Sequence, residues 1–97
     1  MLDLSQFTGF DWDEGNNTKS WQKHRVSNEE CEEVFFNNPV LVLQDKMHSS
    51  LEGRSYLLGK TDANRWLFVV FTARGDLIRM ISARDMTPAE RRRYEEA

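Results

Sequence analysis

Between residues 27 and 36 apolar side chains recur at helical spacing, whereas beyond Pro39 they alternate or run together as in strands. Cys31, Val34 and Phe35 form an apolar stripe, and Glu29, Glu30, Glu32 and Glu33 fall on the wet side, close to the helix start that favours acids. Ser27 followed by Glu30 is a capping box, with Val26 and Cys31 in the flanking staple positions. Asn37-Asn38-Pro39 then closes the helix. Residues 40–43 (VLVL) predict a short strand, residues 44–53 a polar loop, and residues 55–61 a weakly alternating strand. Residues 66–74 and 77–84 predict two longer strands joined at Gly75-Asp76, a pair suited to a type II′ hairpin. With that turn, Leu67, Val69, Phe71 and Ala73 share a face with Ile78 and Met80, and Thr72 lies opposite Arg79 on the other face, beside Phe68, Val70 and Ile81. The same register puts Arg84 on the apolar, helix-covered side. A second capping box, Thr87 with Glu90, and Pro88 at the first helical position begin a terminal helix carrying Arg91, Arg92, Arg93 and Tyr94.

The first half is less sharply patterned. Residues 1–9 contain Leu2 and Leu4 without a sustained period and read as a flexible extension. Phe10, Asp11 and Trp12 suit a short edge strand. Asp13 is the expected cap of a polar helix reaching about residue 25, with Trp21 as its anchor. Trp12 and Trp21 are both expected to pack in the core. Together these elements predict an α+β domain over residues 10–97: N-terminal helices on one face of a twisted antiparallel sheet of about four strands, plus a C-terminal helix.

Composition narrows the class. Ninety-seven residues suffice for one modest core, and the single Cys31 cannot form an internal disulfide or a structural zinc site. Cys31 is expected to be a small core residue. The longest apolar run, residues 66–71, is six residues and far too short to span a bilayer. No basic start followed by an apolar segment suggests secretion, so a cytoplasmic protein without membrane association is expected. Net charge is −3, but the average conceals a split: residues 1–50 hold four Lys/Arg and nine Asp/Glu, whereas residues 65–93 hold seven Arg and three acids. A local excess of this kind is what a polyanion meets when it docks on one face.

Few chemistries have support in the residues. No phosphate loop, dinucleotide fingerprint or nucleophile elbow is present. His24 and His48 belong to no metal-spacing motif, and Asp45, His48 and Glu52 on one loop are weak grounds for an ion, so no metal or cofactor is expected. What remains is a set of cations suited to phosphate. Cleaving an RNA phosphodiester without metal requires a group to take the 2′-hydroxyl proton and a group to protonate the leaving 5′-oxygen. Cations must also hold the charge on a pentacovalent phosphorus. His24, Lys23, Arg54, Arg79 and Arg84 are the right chemical types. Arg79 stands out because it interrupts the apolar run of residues 77–81.

Several strings in order resemble the BrnT family of type II toxins. They are Phe10-Asp11-Trp12-Asp13, Lys23-His24-x-Val26-Ser27, Glu32-Glu33-Val34-Phe35-Phe36 and Asp45-x-x-His48-Ser49-x-x-Glu52-x-Arg54. Val70-Phe71-Thr72-x-Arg74-Gly75-Asp76-x-Ile78-Arg79, Ile81-Ser82-Ala83-Arg84 and Glu90-Arg91 with Tyr94 follow, so that the likeness covers residues 10–96. The resemblance implies a RelE-like fold and a metal-independent endoribonuclease that halts growth. It also implies a BrnA-like antitoxin, joined with the toxin in a heterotetramer that meets DNA only through the antitoxin. Carried over by position, His24, Arg54 and Arg79 are the catalytic candidates. Lys19, Lys23, Arg74 and Arg84 are the RNA-binding ones, and His48 and Glu52 are possible loop contributors. The chain departs from the family's usual pattern at Arg25, where Gly is common, and at Ser20, where Asn is common. A non-catalytic or degenerate module acting mainly as co-repressor of its operon is the alternative.

Overall fold

The computed structural model describes residues 3–43 and 53–97. A short 3-10 turn, Leu4–Gln6, leads into strand β1 (Gly9–Asp11), then helices α1 (Lys19–His24) and α2 (Asn28–Glu33). Strands β2 (Leu41–Leu43), β3 (Arg54–Lys60), β4 (Trp66–Arg74) and β5 (Leu77–Asp85) precede helix α3 (Pro88–Glu95). Among the described residues the sheet has five strands in the order β1-β5-β4-β3-β2, and β1 pairs with β5 in parallel. The α+β class is as expected, but the sheet is mixed and one strand larger. The edge strand expected at residues 10–12 forms at residues 9–11, but its parallel pairing with residues nearly seventy positions away leaves no local signature.

Alternation decides which side chains are buried. Leu57, Leu67, Val69, Phe71, Ile78, Met80 and Ala83 join Val26, Cys31 and Val34 in the main core, with Phe7, Phe10, Trp12, Phe35 and Val42 packed against it. Edge-to-face rings link Phe71 to Phe35 at 5.1 Å and Phe35 to Phe10 at 5.6 Å. Gly59 lets α2 settle on the sheet, because a Cβ there would stand 3.0 Å from the Val34 carbonyl. Cys31 lies in this core as expected, and burial, reinforced by Glu30 and Glu32, pushes its thiol up to about 12. The opposite face is covered at one end by α3. There Leu58, Met86 and Tyr94 are buried against Leu41, Leu43, Trp66 and Phe68.

The hairpin register follows the expected one: Thr72 pairs with Arg79 and Ala73 with Ile78, and Gly75 takes φ +62 in the turn. Beyond Phe71 a bulge intervenes, so that Phe71 pairs with Met80 while Val70 pairs with Ser82. The extra residue reverses the parity of everything after it. Ala83 therefore joins the core, and Arg84 pairs with Phe68 on the opposite face. The expected helix-side placement of Arg84 is overturned for this reason.

Both capping boxes form, with Ser27 Oγ accepting from the Glu30 N–H and Thr87 Oγ1 from the Glu90 N–H. Helix α1 is shorter than expected. Asp13 instead caps a turn, its Oδ1 accepting from the Gly15 N–H. That turn and α1 run along the part of β5 that β1 is too short to cover. Asn16, buried, donates to the carbonyls of Asp11 (2.9 Å) and Met80 (3.0 Å), and the Ala83 N–H donates to Ser20 Oγ at 2.8 Å. These side chains complete the hydrogen bonding of an otherwise bare sheet edge. Trp12 packs against the core and donates from Nε1 to Glu32, but Trp21 is 46% exposed, under the Arg25 guanidinium. The core expectation for Trp21 is thus corrected: α1 lies against the sheet edge and turns that side outward.

Arg25 ends α1 at φ +57, with its N–H donating to the Trp21 carbonyl. This left-handed position strains any residue with a Cβ. Arg25→Gly should raise stability by about 1 kcal/mol, read as a melting temperature several degrees higher. An unchanged or lower melting temperature would show that the Arg25–Trp21 contact outweighs the strain.

Candidate nucleic-acid interface

The face opposite the main core carries a transverse row of polar side chains. Arg54 pairs with Thr72, Thr72 with Arg79, and Arg79 with Asp11, so four adjacent strands contribute one residue each at the same level. Strand alternation sends all four side chains to the same face, and Arg74, two residues beyond Thr72, joins them. Thr72 Oγ1 donates to the Gly53 carbonyl at 2.8 Å, tying the start of β3 to this row.

Arg79 is ion-paired within the protein. Its two terminal nitrogens donate to the two oxygens of Asp13, both at 2.9 Å, and Nη1 also reaches Asp11 at 3.4 Å. Asp11 is shared with Arg74 at 3.2 Å. The hydrogen bond from Arg79, then that from the Gly15 N–H, holds the Asp13 carboxyl below the usual carboxylate range, while Asp13 raises Arg79. Among the described residues, Asp11 and Asp13 thus draw Arg74 and Arg79 into one ion-paired cluster.

Arg84 lies farther along β5, on the same face. Its guanidinium sits 4.2 Å over the Phe68 ring, which in turn stacks on Tyr56 at 5.5 Å. The fork of Arg84 is held by Glu90 at 2.8 and 3.0 Å. Burial pushes the Glu90 carboxyl up, but the bonds from Arg84 and the Thr87 backbone outweigh it and leave the group lowered. Glu90 therefore serves two tasks, capping α3 and anchoring Arg84.

His24, Lys19 and Lys23 are exposed on α1 along the sheet edge. The His24 carbonyl accepts from Arg65, whose guanidinium also binds Asp85 at 2.8 and 3.0 Å, Glu30, and the Arg25 carbonyl. His24 is therefore at the Asp85 end of β5. Asp85 and Arg79 stand opposite Leu67 and Thr72, five steps apart on β4, roughly 17 Å of strand at about 3.3 Å per residue. The structure brings Arg54, Arg74 and Arg79 together and sets His24 apart from them. His48 and Glu52 lie outside the described residues, as does Asp45. Tyr94 is buried, its hydroxyl donating to the Pro39 carbonyl at 2.6 Å.

Asp11 and Asp13 were not legible as site residues. Each had a sufficient local explanation, as a strand residue and a helix cap, and only the distant β1–β5 pairing brings them to Arg79. The acid-x-acid spacing of residues 11–13 matched to a lone arginine in an apolar strand was the available signal.

The protein is an α+β domain with arginines gathered on one sheet face, a placement of charge of the kind that suits a polyanion. A family model described as the ribonuclease toxin, BrnT, of type II toxin-antitoxin systems matches residues 12–90. The chain belongs to this family, which makes it a ribonuclease toxin by kinship and implies an antitoxin partner. No relative is matched among curated proteins. No helix among the described residues is long and apolar enough to cross a membrane.

Proposed function

We propose that the protein is a metal-independent endoribonuclease toxin that arrests growth by cutting RNA in the cytoplasm. A BrnA-like antitoxin neutralises it, in a heterotetramer that reaches DNA through the antitoxin. The observation that carries this reading is the transverse row Arg54, Thr72, Arg79, with Arg74 beside it. Guanidinium groups on neighbouring strands can grip adjacent oxygens of one phosphate and neutralise the charge that builds as a 2′-oxygen attacks phosphorus. Such charge stabilisation is the task a metal would otherwise perform.

RNA lies across this face, with Arg54 and Arg79 on the reacting phosphate and Arg74 and Arg84 on its neighbours. Proton transfer requires a group within about 3 Å of the proton it moves. His24, at the far end of β5, is therefore assigned with Lys19 and Lys23 to phosphates farther along the strand, and water takes the 2′-hydroxyl proton and supplies one to the leaving 5′-oxygen. The non-catalytic reading has its own support, since Arg79 and Arg84 each hold a carboxylate in their forks.

The test is growth after tightly controlled expression, with total RNA followed in the same cultures and cleavage by the purified protein repeated in chelator. Arrest with RNA loss, and cutting that survives the chelator, is the expected result. A folded protein that neither arrests growth nor degrades RNA would move the function to the co-repressor module.

A further inference from the structure

The acids on Arg79 have a consequence for RNA binding. We propose that Asp13, supported by Asp11, is an internal stand-in for an RNA phosphate, filling the Arg79 fork in the free protein and leaving it when a backbone phosphate binds. This rests on the reading of the face as the RNA-binding one, and it assigns the two aspartates the role of setting how strongly RNA must compete.

The geometry has the necessary parts. Two parallel N–H···O bonds of 2.9 Å from one guanidinium to one carboxylate form the same fork that a phosphate accepts. The Arg79 side chain is 17% exposed and fixed in the sheet, whereas that of Asp13 is 50% exposed and stands at its outer side. With its carboxylate half in water, the pair stands where another anion can reach it and compete for the fork. The turn carrying Asp13 does not depend on Arg79 to stay in place. Asn16 pins it through the Asp11 and Met80 carbonyls, its Oδ1 accepts from the Asp13 N–H, and Asp13 Oδ1 keeps the Gly15 N–H as a donor. Gly15 is what lets the turn approach so closely, since a Cβ there would lie 3.0 Å from Arg79 Nη2. Asp11, divided between Arg74 and Arg79, gives way in the same exchange.

Counterion release offers a readout that a purely structural pair would not move. An arginine already neutralised by Asp13 releases no counterion when phosphate arrives, whereas an unmasked one does. The probe is a 2′-O-methyl RNA of about ten nucleotides, a length suited to one small domain and unable to react because its 2′-oxygen is blocked. Asp13→Asn keeps the side chain's size and its bond to Gly15 while removing the charge. It should bind this RNA about three- to five-fold tighter than wild type, the scale of an exposed ion pair. The slope of log affinity against log salt should steepen by about 0.7. Equal or weaker binding with an unchanged slope, from a variant that melts like wild type, would make the pair a fixed tie and overturn the inference. Should Asp13→Asn fail to fold, Asp11→Asn removes charge from the same cluster without touching the turn, and the same two shifts decide. Wild type that cuts RNA while Asp13→Asn shows neither shift defeats this inference alone. Wild type that neither binds nor cuts defeats the ribonuclease reading with it.

Discussion

Arg79→Ala should lower RNA cleavage by about 100-fold or more and relieve growth arrest, with the sheet still folded. The size is that of removing one preorganised charge donor from a developing oxyanion. The fold should survive because Arg79 points away from the main core, to which its neighbours Ile78 and Met80 contribute on the other side of the strand. Asp11 would keep Arg74, and Asp13, half exposed, is open enough to water to tolerate the loss of its cation. Arg54→Ala, on the same row, should behave similarly. His24→Ala should cost only a few-fold, since a flanking phosphate contact contributes binding rather than chemistry. Rates on a defined RNA, beside circular dichroism of each variant, settle the ranking. A His24→Ala loss larger than that of Arg79→Ala would place the reacting phosphate at the Asp85 end of β5 and overturn the assignment.

Phe71→Ala should destabilise the domain by about 3–5 kcal/mol, the usual loss for an aromatic side chain removed from a close-packed core. Phe71 has no exposed surface and meets the Phe35 edge, which continues to Phe10 on β1. The void would open between the sheet and α2, where neither layer can move inward without breaking its own hydrogen bonds. For a small domain with about 5–15 kcal/mol in total, this loss consumes a large share. Urea unfolding gives the measurement. Trp21→Ala, by contrast, should change stability little, because Trp21 is largely solvent-exposed. A Phe71→Ala loss below about 1 kcal/mol would mean that the aromatic chain is not the core's centre.

Much of the fold was legible because its signals are local. Ser27 with Glu30, and Thr87 with Glu90 and Pro88, mark helix starts whose donors and acceptors lie within four residues. The hairpin could be read from Gly75 alone, since a turn needing a positive φ selects its residue and then sets the pairing of Thr72 with Arg79. The shared face of Leu67, Val69, Phe71, Ile78 and Met80 followed from alternation. The reading failed where one residue breaks that alternation: the bulge after Phe71 carried Arg84 to the other face. It failed again where a residue's local role concealed a distant one, as with Asp11 and Asp13.

The site divides along the same line. Arg54, Arg74, Arg79 and Arg84 were recognisable by type, since cations in or beside strands suit a polyanion. Their distribution over the surface was not. The parallel docking of β1 on β5 brings Asp11 to Arg79, the turn of residues 13–17 adds Asp13, and α1 carries His24 toward Asp85. Sequence by itself determined the element types, the caps, the turn, the buried face and the family of this protein, because each depends on neighbours along the chain or on an ordered set of strings. Only the tertiary structure decided which charges neutralise one another and which end of β5 holds the arginine row. Ion pairing depends on distances of a few ångströms between residues more than sixty positions apart, and strand pairing and a single bulge set those distances.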